Sequence, residues 1–271
     1  MNDLSDREWR LVSEEARPGP MQMALEEVAA ETAARGGPRT VRVYRWDPST
    51  LSLGYRQAPA TVDWAYCERE GITVTRRPTG GGGIYHDSVG DISYSIVAPE
   101  SELPGDLLTC YELLCQPVLD AFARMGVETA FADAEQPAIH EPACYLRAVN
   151  PAHDILAGSR KISGNAQYRQ RDAVIQHGSL SYAHTVDTHR AVFTDHDVSQ
   201  AQFRDRVTSI HEQSGIDRSE AVDALEGALA DWADARSGAW TDDELDRARE
   251  IASAKYASDA WTRDRADPIE A

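Results

Sequence analysis

Helix-like and strand-like patterns alternate along roughly the first 195 residues, and this alternation most constrains the fold. Two stretches, 20–35 and 105–126, have the apolar spacing of amphipathic helices, and 61–70 is a shorter predicted helix capped by Thr61. Strands are predicted at 40–46, 50–55, 71–77 and 92–99, with a series of short strands over 153–183. Because tight turns join several strands into hairpin-like pairs, an all-parallel sheet is disfavoured. The pattern predicts an α+β fold, a mixed, largely antiparallel sheet flanked by helices.

The pattern changes near residue 197, where acidic helices replace the alternation. Three helices are predicted there, at 198–213, 218–235 and 241–257. Residues 262–271 have the composition of a frayed end. We therefore expect a catalytic domain over residues 1–195 and a helical C-terminal extension over residues 196–271.

The charge balance excludes several classes of function. The chain has 271 residues with 45 acidic and 27 basic side chains, a formal net charge of −18. Such a surface repels phosphate backbones, so no nucleic-acid partner is expected. No apolar run approaches the ~20 residues of a membrane span, and residues 1–10 lack the apolar core of a signal peptide. A cytoplasmic protein with no membrane partner is predicted.

Lysine is almost absent from this sequence. Lys161 and Lys255 are the only two lysines, and 25 arginines supply the remaining basic charge. An acidic, lysine-poor surface is typical of halophilic proteins, because salt screens the repulsion between carboxylates that keep the surface hydrated. The alternative is a codon bias towards arginine. In either case, the two retained lysines mark positions where a functional or structural need for lysine is expected.

Four consecutive glycines occur in the segment RRPTGGGGIYHD, residues 76–87. They follow a predicted strand and expose backbone N–H groups that can lie flat against a ligand. The two arginines before them could hold an anionic group, and His86 follows them. The spacing matches neither of the common nucleotide-binding motifs, and a flexible hairpin turn would need only one or two glycines. The segment is therefore predicted to be a ligand-facing loop.

Two further segments contain candidate functional residues. In SRKISGNAQYRQ, residues 159–170, Lys161 lies among small residues in a strand pattern interrupted by glycine. Arginine would have served if surface charge alone were needed, as at the neighbouring Arg160, so Lys161 is predicted to reach a carbonyl or phosphate oxygen. In IQHGSL, residues 175–180, His177 is either a ligand contact or a core histidine.

The four cysteines separate into two groups. Three of them, Cys67, Cys110 and Cys115, lie in helix-like apolar stretches and are predicted to be buried. No cysteine or histidine spacing indicates a metal site. Cys144 lies in a loop-like stretch and is the candidate thiol nucleophile. Because a nearby cation lowers the pKa of a thiol and so favours the reactive thiolate, Lys161 could activate it if the fold brings the two together.

The three segments RRPTGGGGIYHD, RKISGNAQYRQ and IQHGSL, in this order and spacing, resemble the lipoate–protein ligase and octanoyltransferase family, which has the biotin–protein ligase catalytic fold. The resemblance runs from Trp9 to KYASDAW at 255–261 and includes MALEE at 23–27 and YRWDPSTLSLGY at 44–55. It implies an enzyme of protein lipoylation that places an octanoyl or lipoyl group on a lysine of a lipoyl-carrying domain. Such domains belong to 2-oxoacid dehydrogenase E2 proteins and to the glycine cleavage H protein.

The resemblance also implies roles for individual residues. Lys161 would contact the activated carboxyl group or its phosphate, and Lys255 would have a structural or interface role. The residues implied to bind substrate are Arg77, Gly80, Gly81, Gly82 and Gly83 along the acyl tunnel, His86 and His177 around it, and Gly164, Asn165, Ala166 and Gln167 closing the pocket.

Two mechanisms divide this family, and the sequence leaves both open. In the cysteine-dependent type, a thiol takes the acyl chain from acyl carrier protein and the target lysine attacks the resulting thioester. The segment PACYLRA, residues 142–148, resembles the position of that cysteine, which would be Cys144. In the ligase type, ATP with Mg and free lipoate give an acyl-adenylate held by the lysine. No tightly bound cofactor is expected in either type.

The end of the sequence bears on the same choice. In full-length ligases a motif similar to KYASDAW leads into an accessory domain, whereas about ten residues follow Trp261 here. This favours the transferase type, or a ligase whose accessory part is a separate chain. Two weaker interpretations are a non-catalytic carrier-binding relative, which would tolerate loss of Lys161, and biotin transfer, which the match of RRPTGGGGIYHD to the lipoyl branch disfavours.

We expect the stability of this chain to rise with salt. Raising KCl from about 0.1 M to about 2 M should increase the thermal midpoint by about 5 °C or more, because screening relieves repulsion among the excess carboxylates. Scanning calorimetry measures the midpoint, and sucrose at equal water activity separates screening from general solute exclusion. An unchanged midpoint in KCl would contradict the halophilic interpretation.

Overall fold

The structure is a computed structural model that describes residues 8–151, 153–170, 172–194 and 197–269. Its helices and strands, in chain order, are β1 (Trp9–Arg17), α1 (Gly19–Ala34), β2 (Arg39–Trp46), β3 (Thr50–Leu53), α2 (Trp64–Arg69), β4 (Thr73–Arg76), β5 (Ile84–His86), β6 (Asp91–Pro99), α3 (Leu107–Arg124), β7 (Ala130–Phe131), β8 (Asp154–Ala157), β9 (Arg160–Gln170), β10 (Ala173–Ser181), α4 (Val186–Ala191), α5 (Gln200–Arg206), α6 (Ile210–Ser214), α7 (Arg218–Ala233), β11 (Arg236–Ser237), α8 (Asp242–Ile251) and α9 (Asp259–Thr262). A 3₁₀ turn, Cys144–Leu146, precedes β8, and a π-helical turn, Ala252–Tyr256, follows α8.

The strands of the described residues form one large and one small sheet, and both are mixed. The large sheet has the order β11-β1-β2-β6-β10-β9-β8-β7, in which β1 runs parallel to β2 and β11 and the other neighbours are antiparallel. The small sheet has the order β4-β3-β5, with β3 parallel to β4 and antiparallel to β5. The predicted α+β fold with a mixed, largely antiparallel sheet is confirmed.

Helices cover both faces of the large sheet, and the alternation within β2 shows how. Val41 and Val43 face the core that contains α3 and α7, whereas Tyr44 and Trp46 face the core that contains α1 and α8. The helix α3 begins after Asp106, whose carboxylate accepts a hydrogen bond from the N–H of Thr109 at 2.9 Å. The sheet is therefore enclosed, and its polar side chains need internal partners.

The structure corrects several local predictions. The strands at 40–46 and 50–55 do not form a hairpin, because β2 belongs to the large sheet and β3 to the small one. The cap of α2 is Asp63 rather than Thr61, since its carboxylate accepts from the N–H of Tyr66. The helix predicted at 198–213 is two helices, α5 and α6, with an extended break between them. In that break, Val207 forms an isolated β-bridge with Lys161, and the N–H of Thr208 donates to the carbonyl of Lys161.

The predicted boundary between residues 195 and 196 lies outside the described residues, as does most of the polar N-terminus at residues 1–7. Several elements after the boundary pack on the sheets: α7 contributes to the core beneath α3, and α8 packs against α1. Within the described part of the chain, no helix combines the length and the apolar character needed to cross a membrane.

The C-terminal segment is bound to the body rather than frayed. Lys255 is buried, with its Nζ 2.8 Å from Oε1 of Glu27 and 2.6 Å from Oδ2 of Asp267, and it lies 4.4 Å from the ring centre of Trp261. Burial opposes the charged form of Lys255, but the two carboxylates outweigh it and raise the pKa of the ammonium. Trp261 in turn donates its indole N–H to the carbonyl of Arg76 at 2.7 Å. Lys255 thus joins α1 to the end of the chain.

Replacing Lys255 with Met should lower the free energy of unfolding by about 3 kcal/mol, because the Glu27 carboxylate would stay buried without its cation. Urea denaturation monitored by circular dichroism measures the loss. The exposed Arg263, replaced by Met in the same way, is the matched control and should cost below about 1 kcal/mol. Equal losses in both variants would contradict the structural role of Lys255.

Candidate active site

A cavity of about 450 Å³ lies between the two sheets and the loop that contains Cys144. We call residues 80–83 the glycine loop and residues 137–150 the cysteine loop. Most of the residues predicted for the site line this cavity: Arg77, Gly80, Gly81, His86, Cys144, Lys161, Gly164, Asn165, Ala166, Gln167 and His177. Gly82 and Gly83 do not line it. The structure therefore brings together residues from five separate strands and loops.

Lys161 is held in the cavity as a buried, paired cation. Its Nζ lies 2.7 Å from Oδ1 of Asp154 and donates to the carbonyl of Cys144 at 3.2 Å. Burial disfavours the ammonium, but Cys144 and Asp154 outweigh burial and raise the pKa of Lys161. Burial likewise works to raise the pKa of Asp154, yet the Lys161 charge lowers it to about 2. Both groups are therefore charged at neutral pH.

Cys144 and Lys161 converge on Gly164. A Cβ atom placed on Gly164 would lie 3.4 Å from Nζ of Lys161 and 3.7 Å from Sγ of Cys144. The thiol and the ammonium therefore border the same small space, which the missing side chain of Gly164 leaves open. Cys144 is partly exposed, whereas the other three cysteines are buried as predicted, and all four are free thiols.

The glycine loop and the cysteine loop are in direct backbone contact. The N–H of Gly83 donates to the carbonyl of Pro142 at 2.7 Å, and the N–H of Cys144 donates to the carbonyl of Gly83 at 2.8 Å. A Cβ atom on Gly82 would lie 2.7 Å from the carbonyl oxygen of Pro142 and 2.9 Å from the nitrogen of Cys144. Any side chain there would push the two loops apart. Gly82 and Gly83 thus position Cys144. They do not line the first cavity, although the resemblance implied that they line the acyl tunnel.

Arg77 binds the glycine loop from inside. Its guanidinium donates to the carbonyls of Ser52 at 2.8 Å, Gly80 at 2.9 Å and Gly82 at 2.7 Å. Arg76 points elsewhere and donates to the carbonyls of Gly54 and Thr262, among others. The expectation that this arginine pair holds an anionic ligand is therefore wrong, because backbone carbonyls already occupy most of their donors.

His86 belongs to a buried chain of hydrogen bonds that ends on Arg77. Its Nδ1 lies 3.0 Å from Oδ2 of Asp91, and its Nε2 lies 2.9 Å from Oγ of Ser52, which also accepts from the guanidinium of Arg77 at 3.3 Å. Burial lowers the pKa of His86 despite the Asp91 carboxylate. A neutral ring that donates through Nδ1 must accept at Nε2, so the Ser52 hydroxyl donates to it. The ring also stacks on Trp46 at 4.0 Å, which fixes its plane.

His177 is part of a second chain with the same order of groups. Its Nδ1 lies 2.9 Å from Oε2 of Glu26, and its Nε2 lies 2.9 Å from Oγ1 of Thr79, which also accepts from Nε of Arg77 at 3.1 Å. Burial acts to raise the pKa of Glu26, but His177 and Arg42 outweigh it and lower that pKa. Both histidines therefore connect a buried carboxylate to the arginine that holds the glycine loop.

The strand β9 supplies the remaining predicted residues. Asn165 is fixed between the hydroxyl of Tyr94 at 2.7 Å and the carbonyl of His153 at 2.8 Å. Gln167 donates to Oε1 of Gln176 at 3.3 Å, and Ala166 lies opposite His177 in the ladder. These residues form a wall with few uncommitted polar atoms.

Two residues that hold the cysteine loop and Lys161 in place were not predicted from the sequence. Asp154 pairs with Lys161, and its signal was a carboxylate within the otherwise apolar DILA strand. Arg206 donates to the carbonyls of Pro137 at 2.6 Å and Arg147 at 3.4 Å, near the two ends of the cysteine loop. Nothing local marks Arg206, because both its partners are about sixty residues or more away in the chain.

The sequence profile of the lipoyl protein ligase A/B catalytic domain matches residues 18–230. The chain belongs to this family. The octanoyltransferase LipM of Symbiobacterium thermophilum is 32% identical over 270 residues, which cover 93% of this chain and 97% of that protein. LipM of Brevibacillus brevis is 28% identical over 272 residues, 94% of this chain and 98% of that protein.

Solved structures of the family have the same fold. The crystal structure of lipoate-protein ligase A bound with ATP matches with a TM-score of 0.79 and 26% identity, covering 94% of this chain and 98% of that one. A bi-partite lipoate protein ligase from Thermoplasma acidophilum matches with a TM-score of 0.77, 23% identity and coverage of 95% and 96%, a likeness of fold. The predicted family and fold are thereby confirmed, and the chain is an acyl-transferring enzyme of protein lipoylation.

Two buried histidines, His86 and His189, and the half-buried His184 predict that stability falls in mild acid. Burial lowers the pKa values of His86, His184 and His189. Each binds a proton more readily in the unfolded chain, so its contribution is complete above about pH 6.5 and is lost as the pH falls towards the folded pKa, at about 1.4 kcal/mol for each pKa unit.

Urea denaturation at pH 7.5 and pH 5.5, at constant ionic strength, measures this dependence. Replacing His189 with Leu should weaken it, and the exposed His211, changed in the same way, controls for the substitution. A variant at His189 with the full pH dependence of the parent would show that this histidine does not contribute.

Proposed function

We propose that this chain transfers an octanoyl group through a thioester on Cys144 to a lysine of a lipoyl-carrying domain. The observation that carries the proposal is the convergence of the Cys144 thiol and the Lys161 ammonium on Gly164. An acyltransferase that works through a thioester needs a reachable thiol, a cation beside it and room for the acyl carbonyl. The 32% identity to an octanoyltransferase over nearly the whole chain supports the same route.

In the first step the Cys144 thiolate attacks the carbonyl carbon of the donor thioester. A bond from Sγ to the acyl carbon forms, the bond between that carbon and the donor sulfur breaks, and the donor leaves as a thiol after taking the proton that Cys144 gave up. In the second step the neutral amine of the target lysine attacks the new thioester. The amide nitrogen–carbon bond forms, the Sγ–carbon bond breaks, and the amine proton returns to the thiolate.

Lys161 is suited to stabilise charge in both steps. It is positive at neutral pH, since Asp154 and Cys144 raise its pKa, and it is therefore neither a base nor a competing nucleophile. An ammonium in a buried site stabilises a neighbouring thiolate and the negative oxygen of the tetrahedral intermediate. Asp154 keeps the ammonium in place through its 2.7 Å contact.

The acyl chain has a suitable binding region in the same cavity. Met23, Trp46 and Ile84 line one part of it with apolar surface, and all three are nearly or fully buried. Burying the methylene groups of an octanoyl chain is favourable by about 0.8 kcal/mol each. We infer that Gly80, Gly81 and the wall of Gly164, Asn165, Ala166 and Gln167 border the chain, while His86 and His177 hold the loop through Arg77.

Partners and compartment follow from this chemistry. The donor in this proposal is acyl carrier protein, and the acceptors are lipoyl domains of 2-oxoacid dehydrogenase E2 proteins or the glycine cleavage H protein. This route needs no ATP and no metal ion. Four free thiols fit a reducing compartment, so we infer a cytoplasmic location.

The ATP-dependent ligase is the second candidate, because the fold matches lipoate-protein ligase A bound with ATP at a TM-score of 0.79. In that route, ATP with Mg and free lipoate would give an adenylate, and a separate accessory subunit would be possible. Lys161 would then contact the activated carboxyl group, and Cys144 would be dispensable.

One assay separates the two routes. The protein is mixed with octanoyl acyl carrier protein and a lipoyl domain, without ATP, and in parallel with free octanoate or lipoate and ATP. We expect octanoyl transfer in the first mixture and a hydroxylamine-sensitive acyl group on Cys144 by mass spectrometry. Transfer only in the second mixture, unaffected by Cys144→Ser, would establish the ligase route and refute the thioester.

Variants of the charged pair test the role of Lys161. Lys161→Ala should slow thioester formation by about 100-fold or more, as loss of a group that stabilises an oxyanion does. Asp154→Asn keeps the volume but releases the ammonium, and we expect about a tenfold loss. The exposed Asp259, replaced by Asn, is the matched control. Full activity of Lys161→Ala would contradict the assignment and favour a merely structural lysine.

A further inference from the structure

A second cavity of about 520 Å³ adjoins the first on the other side of the glycine loop. Arg56 and Gln57 line it from the segment after β3, and Glu141 and Pro142 line it from the cysteine loop. Gly80, Gly81 and Arg147 line both cavities. The two spaces therefore meet at the glycine loop and the side chain of Arg147. We call this second cavity the outer groove.

The outer groove presents two guanidinium groups with little competition for them. Arg56 is exposed and makes no hydrogen bond or ion pair with the described part of the chain. Arg147 has one ion pair, to Glu141 at 3.3 Å, in which the Arg147 side chain is 40% exposed and the Glu141 side chain 68%. Because exposed pairs of this kind are weak, Arg147 can exchange its partner for a stronger anion. The charged residues that line the groove are Arg56, Arg147 and Glu141, so the groove has an excess of one positive charge on a chain of net charge −18.

Three glycines that line the same groove, Gly80, Gly81 and Gly82, offer backbone N–H donors. Within the residues that the structure describes, the N–H groups of Gly80, Gly81 and Gly82 donate to no other group, although Gly83 donates to Pro142. Gly81 has a φ of +95°, which turns its peptide away from the regular strand direction. Guanidinium groups of arginine together with free backbone N–H groups are a combination that binds phosphate.

We propose that the outer groove binds the phosphate on the arm of the thioester donor, with Arg56 and Arg147 as its ligands. This inference rests on the proposed thioester route, in which the donor arm must deliver its acyl carbonyl to Cys144. A phosphate held in the outer groove leaves the thiol end of the arm free to enter the first cavity at the shared residues Gly80 and Gly81. The groove therefore recognises the donor arm, whereas the first cavity recognises the acyl chain.

The test compares two small donors that differ in one group. Octanoyl-phosphopantetheine carries the phosphate, and octanoyl-pantetheine lacks it. The rate of thioester formation on Cys144 is measured by mass spectrometry with each donor at low salt, and the ratio of the two kcat/KM values is the readout. We expect the parent protein to prefer the phosphorylated donor by about tenfold, the scale of a charge-assisted contact to an exposed phosphate.

Variants identify the groups that produce this preference. Arg56→Ala and Arg147→Ala should each bring the ratio closer to one, and their double variant should bring it to about one. The control is Arg236→Ala. Arg236 is an exposed arginine of the edge strand β11 that lines neither cavity, so this variant should keep the ratio of the parent. Because the readout is a ratio, a partial loss of folded protein does not alter it.

The outcomes separate this inference from the function on which it rests. Thioester formation with both donors at equal rates, or a preference that survives both arginine variants, overturns the phosphate site and leaves the function intact. A thioester that forms with octanoyl acyl carrier protein but with neither small donor overturns the inference alone, and no thioester with any of the three donors overturns the function and the inference together. The phosphate of a nucleotide is the other source of the same chemistry. If the variants weaken ATP-dependent activation of free octanoate and leave the donor ratio unchanged, the groove is a nucleotide site and the proposal is wrong.

Discussion

The close contact between the glycine loop and the cysteine loop is the constraint on which the rest of the site depends. Gly83 exchanges backbone hydrogen bonds with Pro142 and Cys144, and Gly82 leaves no room for a Cβ atom between the two loops. This contact sets where the thiol lies. The sheets, Arg77 and Arg206 then keep the two irregular loops in one relative position, which neither loop could maintain alone.

The same constraint explains why so much buried charge surrounds the loop. Arg77 must be buried to reach the carbonyls of Gly80 and Gly82, and an isolated buried cation would be costly. Asp91 and Glu26 balance it from a distance, each through a histidine and a hydroxyl group. The histidines are thus occupied at both ring nitrogens. This occupation is why we assign them a positioning role and leave the acyl chemistry to Cys144 and Lys161.

Much of the fold and part of the site could be predicted from the sequence, and the division has a physical basis. Helices and strands follow from local spacing, the glycine loop is marked by its four consecutive glycines, and Lys161 is marked by the rarity of lysine in this sequence. The partners of those residues are set by long-range packing. The contacts from Gly83 to Pro142, from Lys161 to Thr208 and from Arg76 to Thr262 join segments with no common local pattern. The separation of 40–46 and 50–55 into two sheets has the same cause, since a short turn between strands is compatible with either arrangement.

The two lysines show that the choice between lysine and arginine depends on different factors at the surface and in the interior of this chain. Salt screens exposed charges but has little effect on buried ion pairs. The interactions between charges in the interior are therefore nearly independent of the salt concentration. Both lysines are in that interior, Lys161 against Asp154 and Lys255 against Glu27 and Asp267. An ammonium is a compact charge that fits between a carboxylate and a ring or carbonyl, whereas a guanidinium needs a flat space for its fork. Arginine can therefore replace lysine across the surface of this chain without replacing it at these two positions.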